Sequence, residues 1–199
     1  MAEPVIIDLL RHGEVEGEKW AFRGSTDAPL SDEGLSQMLA VGHALKDEQL
    51  THIATSPLQR CRLFAESMAA SHDVECNTLM GMREIDFGDW EGKTAQDIDA
   101  ELLKQFWSSP VGFCFPQGDD FNMFTSRVIQ SWETWVKDAD GEHRVLVAHG
   151  GVIRVLLAHL LQMPLENMWR LHLPYAAWCR VSLFEGEQPR LLFMNREPS

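Results

Sequence analysis

The sequence predicts an α/β fold, a three-layer α/β/α sandwich around a mostly parallel sheet. Three observations lead there. Short β-rich runs alternate with stretches of helical spacing along the whole chain. Two of those runs, Val5 to Leu10 and "RVLVAH" (144–149), are strongly apolar and read as buried strands. Each of the two leads into a histidine followed by glycine, which places polar chemistry where a hydrophobic strand stops.

The elements follow in order. After the first strand, Leu35, Met38, Leu39 and Leu45 recur at helical spacing behind Ser31-Asp32-Glu33, a capped and acidic first turn. "THIATS" (51–56) reads as the next strand, and Ser56-Pro57 as a helix start, with Ser as N-cap and Pro at the first helical position. A strand is expected over 75–80 and a helix over 94–107. "SSPVGFCFPQGDD" (108–120) is punctuated by Pro and Gly and reads as a loop. Residues 119–137 read as a helix with Phe124, Val128, Trp132 and Trp135 on one side, where core packing is the expected role of both tryptophans. A helix from Val152 to Leu161 follows the "RVLVAH" strand. Two last strands, about 177–184 and 190–194, flank the hairpin-like turn "EGEQP".

The 199 residues suit one domain, 1–199, with no internal repeat or linker. A net charge of −13 argues against a nucleic-acid partner, although a few arginines focused in a cleft can still bind a small anion. Cys61, Cys76, Cys114 and Cys179 are scattered without C-x-x-C spacing, which reads as free thiols in a reducing compartment. The start "MAEPVIIDLL" has no basic region and carries Asp8 in its apolar run, so no signal peptide is expected. "VIRVLLAHLL" is too short for a membrane span and holds Arg154 and His159. A cytoplasmic protein is expected.

The chemistry collects at strand ends, where α/β sheets bind ligands. Neighbouring strand residues point opposite ways, so Arg11 and His12 share a site only if the backbone turns there, which Gly13 permits. By themselves the three could equally be a satisfied polar strand end. His149 precedes Gly150-Gly151 at a helix start, whose free N–H groups and positive dipole end suit an anion. Arg60 stands in the first turn after Ser56-Pro57 and could grip a phosphate oxygen, with Arg62 as its competitor. In "MREIDFGDWEG" (82–92), spacing does not rank Glu84, Asp86, Asp89 and Glu91 as acids. Seven tryptophans could stack on a base, and Trp90 and Trp107, beside loops, are the open cases.

Together, "LLRHGE" (9–14), "GSTDAPLSDEG" (24–34), "TSPLQRCRLFAE" (55–66), "MREIDFGDWEG" (82–92) and "VLVAHGGVIRVLL" (145–157) resemble the histidine phosphatase superfamily, the phosphoglycerate mutase-like fold. They occur in the family's order and cover nearly the whole chain. The resemblance implies His12 as the phosphate-accepting nucleophile, with Arg11, Arg60 and His149 completing the phosphate pocket. It places Arg60, not Arg62, at the phosphate-binding position, and Glu84 as general acid. It also implies backbone contacts to substrate at Gly24 and Gly150, and a substrate-covering insertion around 84–125. No metal and no cofactor are implied, since guanidinium groups take the metal's electrostatic role, and the eight histidines show no ligand spacing.

Within the family, "FRGSTDAPLS", "DFGDWEG" and "MPLENMWRLHLPYAAWCRVSL" are most similar to α-ribazole phosphatases. That likeness implies a small-molecule phosphomonoester as partner, α-ribazole 5′-phosphate or adenosylcobalamin 5′-phosphate in cobalamin nucleotide-loop assembly. The competing enzyme readings are a broad-specificity sugar or nucleotide phosphatase and a phosphoglycerate mutase. A phosphate-sensing binding module is the non-enzyme alternative. Two departures stand out. Glu18 occupies the position where the family commonly has a phosphate-binding asparagine, which leaves Arg23 as the candidate replacement donor. "PQGDD" stands where relatives often carry Gly-Glu, making Asp119 a shorter substitute.

Overall fold

The computed structural model describes residues 3–139 and 141–196. The ends of the expected 1–199 domain, and Met1 and Ala2 of the start read for a leader, lie outside the described residues. Six strands form one sheet in the order β3-β2-β4-β1-β5-β6. These are β1 (Val5–Arg11), β2 (His52–Thr55), β3 (Cys76–Thr78), β4 (His143–Ala148), β5 (Trp178–Leu183) and β6 (Arg190–Phe193). β3, β2, β4 and β1 run parallel, while β5 and β6 pair antiparallel beyond β1.

Side chains alternate across the sheet, as the strand period requires. Ile7, Leu9, Leu146 and Ala148 enter one core with α4 (Phe121–Asp138) and α5 (Gly150–Leu160). Leu10, Val145 and Val147 enter the other with α1 (Asp32–Leu45) and α2 (Gln59–His72). The α/β/α sandwich and its mostly parallel sheet are as the sequence predicts. No helix among the described residues is long and apolar enough to cross a membrane.

Several local expectations need correction. Ser31 caps α1 by accepting from the Gly34 N–H, but Leu35 and Leu39 face outward, and Gly34, Met38, Val41 and Leu45 form the buried stripe. α2 begins at Gln59 behind Leu58, not at Ser56-Pro57. Its first N–H is served from outside the helix, because Asp27 Oδ1 accepts from the Gln59 N–H at 2.7 Å. The helix expected over 94–107 is shorter, α3 (Ala100–Ser108), because Asp99 caps it at Glu101 and Leu102. Residues before it form a turn held by Asp97, which accepts from the Thr94 N–H and hydroxyl. Trp132 and Trp135 are buried on α4, in the expected core role.

Candidate active site

Register brings the two strand–histidine junctions together. Arg11 on β1 pairs with Ala148 on β4, so the next residues, His12 and His149, stand side by side. The His12 N–H extends the ladder to Ala148 O at 3.0 Å, and the two rings meet edge-on with centroids 5.2 Å apart. Ser56, just past β2, continues the same edge through its N–H to Val147 O. The site therefore lies beyond the carboxyl ends of three adjacent parallel strands. Gly13 makes the turn possible by close approach: a Cβ there would collide with the Gly34 carbonyl at the start of α1.

The His12 ring is buried, and its Nδ1 lies 2.7 Å from Gly13 O, the geometry of an N–H donating to that carbonyl. That tautomer leaves Nε2 with its lone pair free. Burial first, then the charges of Arg60 and Arg11, hold His12 well below the usual imidazole range. His149 is held down in the same way by burial and then by Arg60. Its Nε2 hydrogen-bonds the Ser56 hydroxyl at 2.6 Å.

Two arginines flank His12. Arg11 donates to Leu173 O and lies over the Tyr175 ring, 4.4 Å from its centroid. Burial lowers it to about 10, so it stays a cation at neutral pH. Arg60 is buried and donates to Gly24 O and Thr26 O, both at 2.7 Å. The Nε–H groups of Arg11 and Arg60 are buried without a protein acceptor, a costly arrangement that an anion would relieve. Arg62 is partly exposed and pairs instead with Glu66.

The four acidic candidates separate clearly. Glu84 is buried against the start of α5, accepting from the Gly151 N–H at 2.8 Å and the Ile85 N–H at 3.1 Å. Burial raises its carboxyl above the usual range, against those two bonds and the charges of Arg60 and Arg11. Asp86 accepts from the Gly88 N–H, and Asp89 is exposed. Glu91 is a brace: its carboxylate accepts from the N–H groups of Gly24, Ser25, Thr26 and Phe87 and from the Thr26 hydroxyl.

Of the remaining expectations, Gly150 opens α5 beside Arg11. Gly24 has its N–H committed to Glu91 and its carbonyl to Arg60. Glu18 is exposed, and Arg23 lies across Gly17 with no ionic or hydrogen-bonded partner among the described residues. Asp119 faces Arg83 and Arg127 and accepts from the Asp86 N–H. Sequence reasoning missed Ser56 as the partner of His149, Tyr175 beneath Arg11, and Glu91 as the brace. Gly88 and Gly92 around "DWEG" were a signal for a tight loop, but not for what ties it.

Such a fold, with a free imidazole nitrogen beside two arginines and a buried carboxyl under the influence of the same two charges, defines an enzyme of phosphate esters. The chain belongs to the histidine phosphatase superfamily (branch 1), whose pattern matches residues 7–197. It is 28% identical to the adenosylcobalamin/alpha-ribazole phosphatase of Salmonella typhimurium, over 89% of this chain and 90% of that protein. A protein of Photorhabdus laumondii named as a phosphoglycerate mutase is 30% identical over 87% of this chain and 82% of its own. The solved structure of a mycobacterial glucosyl-3-phosphoglycerate phosphatase superposes with a TM-score of 0.83 at 27% identity, covering 98% of this chain and all of that one.

Proposed function

We propose that the protein is a metal-independent phosphomonoesterase that works through a phosphohistidine on His12 and acts on α-ribazole 5′-phosphate or its cobalamin-linked form. One observation carries the chemistry: His12 Nδ1 is tied to the Gly13 carbonyl, which leaves Nε2 for attack beside Arg11 and Arg60, whose Nε–H groups have no protein acceptor. Neutral His12 attacks phosphorus as the ester P–O bond breaks, and Glu84 gives its proton to the departing oxygen. Water then attacks phosphorus, the P–N bond breaks, and Glu84 takes the water's proton. Arg11 and Arg60 hold the equatorial oxygens and stabilise charge gathering there. His149, fixed by Ser56, lies against His12 and completes the wall of the pocket.

The raised carboxyl of Glu84 suits the acid role, because burial makes its proton harder to lose than that of an exposed glutamate. The insertion over 84–125 covers the leaving group, and Arg23 and the Gly150 backbone add donors at its rim. For the substrate, the support is the likeness to the Salmonella phosphatase over nine-tenths of both chains.

The test has two parts. Acid-quenched enzyme given labelled substrate should carry an acid-labile, base-stable phosphate that His12→Ala lacks; label persisting in that variant would remove His12 as the nucleophile. Turnover on α-ribazole 5′-phosphate should exceed that on other sugar and nucleotide monoesters, and should survive excess chelator.

A further inference from the structure

Arg154 is a cation that these roles leave unused. It lies one turn after Gly150 on α5, so its side chain leans back toward the helix N-terminus and the pocket. Its Nη1 stands 2.9 Å, and the Arg11 Nε 3.3 Å, from the point where a Cβ on Gly150 would sit. Glycine at 150 therefore leaves room for two guanidinium groups.

Residues 169–175 serve the two arginines in parallel. Arg11 donates to Leu173 O over the Tyr175 ring, and Arg154 donates from Nε to Leu171 O at 3.1 Å over the Trp169 ring. Burial works against the Arg154 charge, and Glu84 is the charge that supports it. Glu84 itself is bonded to Gly151, the residue after Gly150. Arg154 and Glu84 thus meet at adjacent glycines at the head of α5, and the leaving oxygen must lie on the side of the acid.

Beyond Arg154 the wall is aromatic. Trp169 meets Trp107 of α3 at 4.9 Å between centroids, and Trp107 also approaches Phe22 at 6.3 Å. Phe22 belongs to the loop that holds Arg60, and Trp169 to the stretch that holds Arg154. Trp107 therefore bridges both walls, yet 46% of it is exposed. Trp90, by contrast, is 3% exposed and is part of the core.

We propose that Arg154, Trp169 and Trp107 form the subsite for the leaving group, Arg154 holding an oxygen of the sugar and Trp107 a planar base. The proposal rests on the phosphomonoesterase reading above and extends it to a 5′-phosphorylated, nucleoside-like substrate. Arg154 binds substrate directly here, held by Leu171 and Trp169 against the leaving alcohol.

The test compares α-ribazole 5′-phosphate, ribose 5-phosphate and p-nitrophenyl phosphate, with inorganic phosphate as inhibitor. Arg154→Gln should lower kcat/KM for the two sugar phosphates by about 10–100-fold, the effect of a lost hydrogen bond to a charged group. That loss should exceed the loss on p-nitrophenyl phosphate at least about tenfold, with Arg154→Lys between. Trp107→Ala should cost about 5–100-fold on α-ribazole 5′-phosphate, the range of one stacked base, and much less on ribose 5-phosphate. Equal losses of Arg154→Gln on all three esters, with weakened phosphate inhibition, would assign Arg154 to the phosphate pocket and overturn the proposal. So would an unchanged preference for the base-bearing ester in Trp107→Ala, a surface variant that reports even if Arg154→Gln does not fold. Failure of the substrate reading looks different. The wild type would then not prefer α-ribazole 5′-phosphate, and the same variants would be scored on adenosine 5′-monophosphate against ribose 5-phosphate.

Discussion

Arg60 and Arg62 share a helix and a charge, and their surroundings divide them. Arg60 is buried, with two of its nitrogens bonded to Gly24 and Thr26 carbonyls and its Nε left without a protein acceptor. Arg62 is about 200° around the helix from it and pairs with Glu66 in the open. Removing a preorganised partner of transition-state charge costs roughly 10²–10³ in rate. Steady-state assays should show Arg60→Ala losing about that factor in kcat/KM, with weaker inhibition by phosphate or vanadate. Arg62→Ala should change little; an equal loss there would mean that α2 presents a different face. Arg11, His12 and His149 drew notice because they stand where a strand ends before a glycine, whereas Arg60 and Glu84 were singled out only by the family resemblance. Ser56 was read as a helix cap because its actual partner, His149, is 93 positions away. Arg154 gave no local signal, since one arginine in an apolar helix looks like any solvated charge. Long-range partners are fixed by sheet register, which no window of sequence contains.

At the scale of elements, the loop 24–27 and the turn ending in Glu91 act as one clamp on the start of α2. The Glu91 carboxylate gathers the loop's N–H groups, the loop's carbonyls hold Arg60, and Asp27 accepts from the Gln59 N–H. The parts touch closely, since a side chain at Gly24 would meet the Ile85 carbonyl next to Glu84. Arg60, which acts on His12, and Glu84 are therefore set by the same backbone. Glu91→Ala should destabilise the fold by about 1.5–3 kcal/mol, the range for bonds to a charged group. It should also lower kcat/KM by about tenfold or more through Arg60, although Glu91 touches no substrate. Glu91→Gln, which keeps one acceptor oxygen, should recover part of both in thermal melts and assays. Loss of stability with turnover intact would separate the brace from Arg60. The strands and long helices followed from periodicity, but this clamp did not. It is built of side chain to backbone bonds between loops, where there is no period to read.

For the whole molecule, the site makes stability depend on pH. His12 and His149 are buried with their imidazoles held well below the usual range, by burial first and the arginines second. Unfolded histidines titrate near pH 6.5, so below that value the unfolded chain binds more protons and stability falls with pH. Each histidine contributes a slope of up to about 1.4 kcal/mol per pH unit until its folded value is reached. Glu84 opposes them, because its folded carboxyl is raised, and stability gains as pH falls through that raised value. Asp8 acts lower. It is buried in β1 and bonded to Trp178, Arg180 and His143, and these partners outweigh its burial and lower its carboxyl. Its contribution is present above about pH 3.9 and lost as pH falls through the folded value. Between pH 6.5 and 5, then, two histidines stand against one glutamate, and the net is a loss of stability on acidification. Urea midpoints at pH 7.5, 6.5 and 5.5, in buffer without phosphate, should fall once pH drops below 6.5. His149→Asn, which removes one of the two groups, should make that fall markedly shallower. Midpoints that stay level or rise toward pH 5.5 would mean that at least one imidazole is charged in the folded protein, and a charged His12 has no lone pair with which to attack phosphorus.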